Sequence, residues 1–149
     1  MLLNTSYEVI ITGIESAMIA QLLKFIGYTI KHKKVNFQLL ATTGGMPSSH
    51  TAGVVSLSTT VGLICGFDQV EFAIAVGYAL VVMYDAAGLR RSTGKIAACL
   101  NKIRDDFYSH GQMSNERLKE LLGHTPFEVF VGALLGIAMA FINHYYVFQ

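Results

Sequence analysis

The sequence predicts an all-α membrane protein: a helix bundle with about four transmembrane helices, plus an amphipathic helix in a loop on one side. Three observations carry this reading. The chain is 52% hydrophobic and 14% charged, with mean hydropathy +0.46. That is too apolar for a soluble domain of 149 residues. Its apolar residues gather into four stretches, 9–30, 48–67, 69–87 and 125–148, each near the roughly 20 residues a helix needs to cross the hydrocarbon core. All eleven Lys and Arg lie between Lys24 and Lys119, the one-sided pattern of a polytopic chain.

The first stretch carries Glu15, Gln21 and Lys24, and polar groups at that depth face a partner or a wet cavity. No basic region precedes it and no small-residue cleavage site follows, so it is expected to stay as a helix. The second opens on Gly44-Gly-Met-Pro-Ser-Ser-His50, which places two glycines, a proline, two hydroxyls and an imidazole where an apolar helix begins. A short polar turn, Gly66-Phe-Asp-Gln69, leads to the third stretch, with Glu71 near its start and Asp85 near its end. In the loop 88–124, Ile96, Ala97, Leu100, Ile103 and Phe107 recur at helical spacing. They predict an amphipathic helix against the membrane face, ended by Ser109-His110-Gly111. Residues 110–117 read as a turn and Leu118–Leu122 as a short helix. The fourth stretch then opens on Gly123-His-Thr-Pro-Phe-Glu128 and closes on Tyr145, Tyr146 and Phe148, which suit an interfacial aromatic belt. Gly13, Ala17 and Ala20, then Gly53, Ser56 and Thr60, then Gly132 and Gly136 recur three or four apart, a spacing that lets helices approach closely. Four short helices enclose little volume, which favours a homodimer packed through Gly132 and Gly136.

With four spans, the loops 31–47 and 88–124 fall on the same side. The positive-inside rule makes that side cytoplasmic and puts both termini outside. The expected organisation is one integral domain over residues 1–149 in the cell membrane. The loop 88–124 sets seven basic residues against Asp105, Asp106, Glu116 and Glu120, which is basic without being a nucleic-acid stripe. Cys65 and Cys99 make no disulfide framework, and no zinc-ligand spacing is present.

Because both loops emerge on one face, Ser48, Ser49, His50, Arg90, Arg91, Lys119, His124 and Glu128 can converge there. A phosphoryl group needs cations and N–H donors around its oxygens, which Arg forks, Lys119 and the backbone at Gly45 ahead of a helix N-terminus supply. It also needs a nucleophile and a proton donor, and two histidines fill those roles near neutral pH. Glu128 follows His124 by four residues, on the same helical face, where a carboxylate can hold the imidazole by its other nitrogen. Asp85, about one and a half turns before the arginines, either pairs with Arg90 or Lys24 as structure or holds a catalytic histidine. Each residue also has a purely structural reading: His50 as a cap, His124-Thr-Pro as a helix start, Glu128 as a complement to the helix dipole, and the arginines as topology signals. His32, His110 and His144 are given no role.

Gly44-Gly-Met-Pro-Ser-Ser-His50, Tyr84-Asp-Ala-Ala-Gly-Leu-Arg-Arg91 and Leu118-Lys-Glu-Leu-Leu-Gly-His-Thr-Pro-Phe-Glu-Val129 together resemble the divergent branch of the type 2 phosphatidic acid phosphatases, relatives of acid phosphatases and vanadium-dependent haloperoxidases. The resemblance implies a shortened form of that superfamily's all-helical fold. The superfamily's Pro-Ser-Gly-His motif supplies phosphate contacts and the general acid, roles carried over to Pro47, Ser48, Ser49 and His50, with serine in place of glycine. A later motif, Ser-Arg, five residues, His, three residues, Asp, supplies a phosphate-binding arginine, the histidine nucleophile and its carboxylate orienter. Those roles fall on Arg90 or Arg91, His124 and Glu128. The chain departs from the pattern in three ways. Thirty-two residues separate Arg91 from His124, glutamate stands for aspartate, and no Lys-x6-Arg-Pro motif precedes the first histidine, Lys24 and Lys31 being at best a faint remnant.

The sequence thus points to a membrane phosphatase acting on a lipid phosphate or diphosphate at the cytoplasmic face through a phosphohistidine, with no cofactor and no metal in the scheme. The alternative is a protein that binds or translocates phospholipid headgroups without hydrolysing them. Topology provides the first test. With the native cysteines replaced, a single cysteine at Asp68 is expected to label from outside the cell and one at Gln112 only from the cytoplasm. Labelling of both from one side, or the reverse pattern, would remove the four-span arrangement.

Overall fold

The computed structural model describes residues 4–35, 37, 44–108 and 124–148, with backbone alone at 4–5, 89–93, 95 and 105–108. Its elements are α1 (Asn4–His32), α2 (Ser49–Cys65), α3 (Val70–Tyr84), a π turn (Asp85–Leu89) running directly into α4 (Arg90–Tyr108), and α5 (Pro126–Ile142), which ends in a second π turn (Asn143–Val147). Ser6–His32, Val70–Gly88 and Pro126–Val147 are each long and apolar enough to cross a membrane, and Ser49–Cys65 is a shorter apolar helix. All four coincide with the stretches read from hydropathy. The predicted turn at 110–117 and short helix at 118–122 lie outside the described residues.

The bundle is apolar on its outside. Ile10, Ile14, Ile74, Val81, Phe130 and Leu134 are all exposed on its surface, as lipid-facing side chains are. The interior is made of small and hydroxyl residues instead: Thr12, Ser16, Ala20, Ala52, Ser56 and Thr60 are fully buried. Hydrocarbon offers no hydrophobic gain for bringing one apolar helix to another, so close backbone approach and interhelical hydrogen bonds do the work. α2 is the hub, packed against α1, α3 and α5.

Two glycine contacts set the packing. Across α1 and α2, a Cβ on Gly53 would stand 3.2 Å from the Gly13 carbonyl oxygen. In the same contact the Ser56 hydroxyl donates to the Thr12 carbonyl at 3.3 Å. Across α2 and α5 the fit is tighter. A Cβ on Gly132 would lie 2.6 Å from the Ser48 carbonyl oxygen, and one on Gly136 would lie 2.6 Å from that of Ala52. Gly132 and Gly136 therefore pack inside the chain against α2. This corrects the expectation that the pair forms a dimer contact: the small-residue spacing gives close approach, and α2 is the helix that takes it. Because Gly132 meets Ser48 and Gly136 meets Ala52 and Ser56, α2 and α5 run parallel. Their N-termini lie side by side, at the end of the bundle where α1 and α3 finish.

The turn between α2 and α3 is closed by Gly66 at φ 108°, whose N–H donates to the Gly62 carbonyl at 3.0 Å. Phe67 folds back over Gly62 and meets Phe72 edge to face at 5.1 Å between ring centroids. Cys65 and Cys99 are both free thiols. On α4, Gly94 and Asn101 are buried while Ile96, Leu100 and Ile103 are exposed. This is an amphipathic helix whose apolar stripe is not covered by the described residues of the chain. It begins directly after the π turn at Arg90, a turn and a half ahead of the first apolar residue that marks it in sequence.

Inserting a side chain at the tight glycines separates packing from propensity. Gly136→Val is expected to destabilise the detergent-solubilised protein by about 1–3 kcal/mol or more through overpacking. Gly77→Ala, where an added Cβ meets nothing within 4 Å, should be neutral or stabilising by about 0.5–1 kcal/mol. Thermal unfolding followed by circular dichroism reads both. Equal effects would mean that α5 does not lie against α2 as described.

Candidate functional site

The ends of α1 and α3 and the starts of α2 and α5 meet at one end of the bundle. α5 begins with a complete capping box: Thr125 is the N-cap, its Oγ1 accepts from the Glu128 N–H at 3.3 Å, and the Thr125 N–H donates to Glu128 Oε2 at 3.1 Å. Pro126 takes the first helical turn, where its missing N–H costs nothing. Just before the cap, the His124 N–H donates to the Ala86 carbonyl in the π turn at 3.1 Å, tying the start of α5 to the end of α3. The Ser48 N–H donates to the Glu128 carbonyl at 3.1 Å, tying the start of α2 to the first turn of α5.

His124 is held at the centre of these ties and is only 1% exposed. Its Nδ1 lies 3.1 Å from Glu128 Oε2, and Glu128 is 21% exposed. Facing a carboxylate, Nδ1 carries the proton and donates it, which leaves Nε2 as the nitrogen with the lone pair when the ring is neutral. This is the pairing that the four-residue spacing predicts, and here the geometry bears the spacing out.

Lys24 is the member that sequence reading named only as a structural partner of Asp85 and as a faint motif remnant, and left out of the phosphate site. Although it is charged and sits inside a spanning helix, it is only 6% exposed. Its Nζ donates to Gln21 Oε1 at 3.0 Å, and it lies within electrostatic reach of Glu128. Its methylenes pass beside Gly45, where a Cβ would come within 3.3 Å of Lys24 Cδ and where φ is +82°. Gly45 is thus glycine for two reasons, its left-handed backbone and the lysine stem running against it. The sequence signal was present, since a lysine in an apolar span is a functional candidate by default. Its partners, however, come from other helices.

The remaining expected residues are distributed as follows. Ser48 is fully buried and caps α2: its Oγ accepts from the Thr51 N–H at 3.4 Å and from Thr51 Oγ1 at 3.0 Å. The cap of α2 is therefore Ser48, and His50 stands exposed in the first turn. Ser49 is half-buried, as is Asp85, which opens the π turn next to Ala86. Arg90 and Arg91 begin α4 immediately after that turn, but their side chains are outside the described part of the structure, and Lys119 lies outside the described residues altogether. The structure thus brings Lys24, Gly45, Ser48, His124 and Glu128 together, with Asp85 one residue from the chain that anchors His124.

Comparison with known proteins gives the family. The sequence profile of the Divergent PAP2 family matches residues 5–139, which covers all three motifs and every helix but for the first residue of α1 and the end of α5. The chain belongs to the divergent PAP2 family. It is 36% identical over 148 residues to the uncharacterized membrane protein YuiD of Bacillus subtilis (strain 168), covering 92% of this chain and 94% of the relative. No solved structure matches it. Family membership makes this a phosphatase-related membrane protein, and in this chain Glu128 both caps α5 and faces the His124 ring.

The His124–Glu128 contact has a spectroscopic consequence. In a sample labelled with nitrogen-15 on histidine, His124 is expected to show a protonated Nδ1 at neutral pH, and Glu128→Gln should abolish that preference while α5 stays folded, because glutamine also serves a capping box. An unchanged tautomer in the variant would mean that the carboxylate does not orient the ring.

Proposed function

We propose that the protein is a membrane phosphatase for a lipid phosphate or diphosphate, working at the cytoplasmic face, with both termini outside. The observation that carries this reading is the His124–Glu128 pair at 3.1 Å, set between the parallel N-termini of α2 and α5 with the buried Lys24 alongside. Two helix N-termini side by side put positive partial charge in one place, and a lysine adds to it. An anion is the ligand such a place favours. Glu128 offsets part of that charge at rest and supports the imidazolium that forms when His124 gains a positive charge.

In this reading His124 Nε2 attacks phosphorus in line, an N–P bond forms and the bond to the leaving oxygen breaks, with His50 donating the proton to that oxygen. Water then attacks the phosphohistidine, giving up a proton to His50, and the N–P bond breaks to release phosphate. Lys24, Arg90, Arg91 and Lys119 stabilise the equatorial oxygens, together with backbone N–H groups near Gly45 and Ser49. Asp85 is assigned a positioning role at the π turn. Because His124 is 1% exposed, phosphorus reaches Nε2 only after the segments around it open, which makes opening part of the catalytic cycle.

The same enclosure favours a second reading, in which the basic end binds or translocates a phospholipid headgroup without hydrolysis. Turnover separates the two. In detergent micelles with a lipid phosphate, His124→Ala and His50→Ala are each expected to remove nearly all phosphate release, Glu128→Gln to lower it by about ten to a thousandfold, and Arg91→Lys to be poorly tolerated. Lys24→Met is expected to weaken substrate binding as well as the rate. Stoichiometric retention of lipid phosphate with no release in the wild type would favour the binder. Full activity in His124→Ala would remove that residue as nucleophile, and loss on chelation with recovery by a divalent cation would point to metal-assisted chemistry instead.

A further inference from the structure

A cavity of about 700 Å³ lies between α1 and the end of α5, away from the histidine site. Its walls are Met18, Ile19 and Leu22 of α1 and Met139 of α5, nearly all apolar surface, and it opens sideways, with Met18 and Leu22 more than half exposed. That is within the size range of small-molecule sites. Two features tie it to the basic end and limit its length.

Gln21 lines the cavity and, with the same side chain, accepts from Lys24 Nζ at 3.0 Å. The apolar walls therefore start one helical turn from the lysine that lies close to Glu128 and Gly45. At the other end Glu15 and Asn143 close the cavity, and their polar atoms are bonded to each other, Asn143 Nδ2 donating to Glu15 Oε2 at 2.6 Å. Between Gln21 and Glu15 the helix rises about 9 Å. The result is a short hydrocarbon-lined groove with a cationic site at one mouth, a polar stop at the other and a side open to the bilayer.

We propose that this groove holds the first part of one hydrocarbon chain of the phosphorylated lipid whose phosphate lies at the Lys24–His124 end. The inference rests on the proposed lipid-phosphate reading and adds to it where the chain runs. The groove is open along one side, so the lipid enters laterally from the bilayer without leaving the hydrocarbon, and the chain beyond the polar stop continues among other lipids. A lipid with a phosphate and at least one extended chain fits; a water-soluble phosphate leaves the groove empty. Met18 and Met139 suit this use, because thioether side chains repack easily around a flexible chain.

Two measurements test it. Filling the groove with Leu22→Trp, and independently Met139→Phe, is expected to raise KM for dioleoyl phosphatidic acid about tenfold at fixed surface concentration, with kcat/KM for glycerol 3-phosphate, which has no acyl chain, unchanged. Equal losses on both substrates, or none on either, overturn the groove assignment. Separately, a phosphatidic acid carrying a diazirine near the start of one acyl chain, incorporated into liposomes with the wild type and with His124→Ala, is expected to crosslink to Met18, Leu22 or Met139. Excess unlabelled phosphatidic acid should compete the adducts away, and diacylglycerol should not. Adducts spread over other lipid-facing positions such as Ile74 and Phe130, or insensitive to that competition, overturn it. Crosslinking at the groove without phosphate release in any sample would leave the groove standing and remove the phosphatase reading. Release with random crosslinking would do the opposite.

Discussion

How closely α5 lies against α2 governs everything at the basic end of this protein. In water two helices gain by hiding apolar side chains from solvent, but in a bilayer the surrounding lipid is as apolar as the side chains, so contact must be made by backbone fitting to backbone. Gly132 and Gly136 allow it, with ideal Cβ positions that would fall inside van der Waals contact with the α2 backbone. The approach then permits the Ser48 N–H to reach the Glu128 carbonyl. A helix N-terminal N–H that would otherwise need water is satisfied by the neighbouring helix, and the two helices are locked in parallel register. Parallel packing sets their dipoles side by side, which is unfavourable in itself, and a carboxylate at the shared positive end offsets it.

The polar side chains of α1 complete the bundle in two tiers. Near the basic end Lys24 pairs with Gln21 and lies near Glu128. At the far end Glu8 meets His144 Nδ1 at 2.7 Å, while Asn143 donates to both Thr12 and Glu15. An unpaired polar group costs much more in a low-dielectric interior than a paired one, so the far tier, whose bonds cross from α1 to the end of α5, penalises rotation of α1 about its axis, and the nearness of Lys24 to Glu128 favours the same orientation. The two tiers lie on different turns of the same helix, and satisfying both admits one orientation. That orientation carries Lys24 inward and leaves Ile10, Ile14 and Met18 facing lipid. The second π turn, at Asn143–Val147, belongs to the same arrangement, because it contains both α5 residues of the far tier.

The spans were legible because hydropathy over about 20 residues is a property of the local sequence and the membrane requires it. The His124–Glu128 contact was legible for a similar reason: a spacing of four on a helix fixes a distance before any tertiary structure exists. Lys24 was not, since its neighbours Gly45 and Glu128 come from segments far along the chain and no local period announces them. Gly132 and Gly136 were read correctly as sites of close approach and incorrectly as a dimer contact. Small residues at that spacing state that a helix comes near but do not state which one. Ser48 shows a related ambiguity. A serine before an apolar helix suits a phosphate ligand and a helix cap equally, and the buried bonds to Thr51 place it as the cap. His144, given no role from sequence, has its partner on the opposite end of the chain, at Glu8.

That residue 128 is a glutamate follows from the same geometry. Glu128 is the third residue of α5, and a carboxylate at that position closes a capping box only if its side chain is long enough to return to the N-cap backbone, which is why Glu and Gln are the residues found there. The same Oε2 that accepts the Thr125 N–H also faces His124 Nδ1. An aspartate is one methylene shorter, so serving the histidine would bring it away from the cap, and α5 would begin with an unsatisfied N–H beside a buried ring. Thirty-two residues lie between Arg91 and His124, so no short link to the arginines positions the histidine. It is positioned from two sides, by the backbone bond to Ala86 in the π turn and by the capping glutamate of α5. The histidine is thus set by the helix it precedes, through a carboxylate long enough to serve the ring and the cap at once.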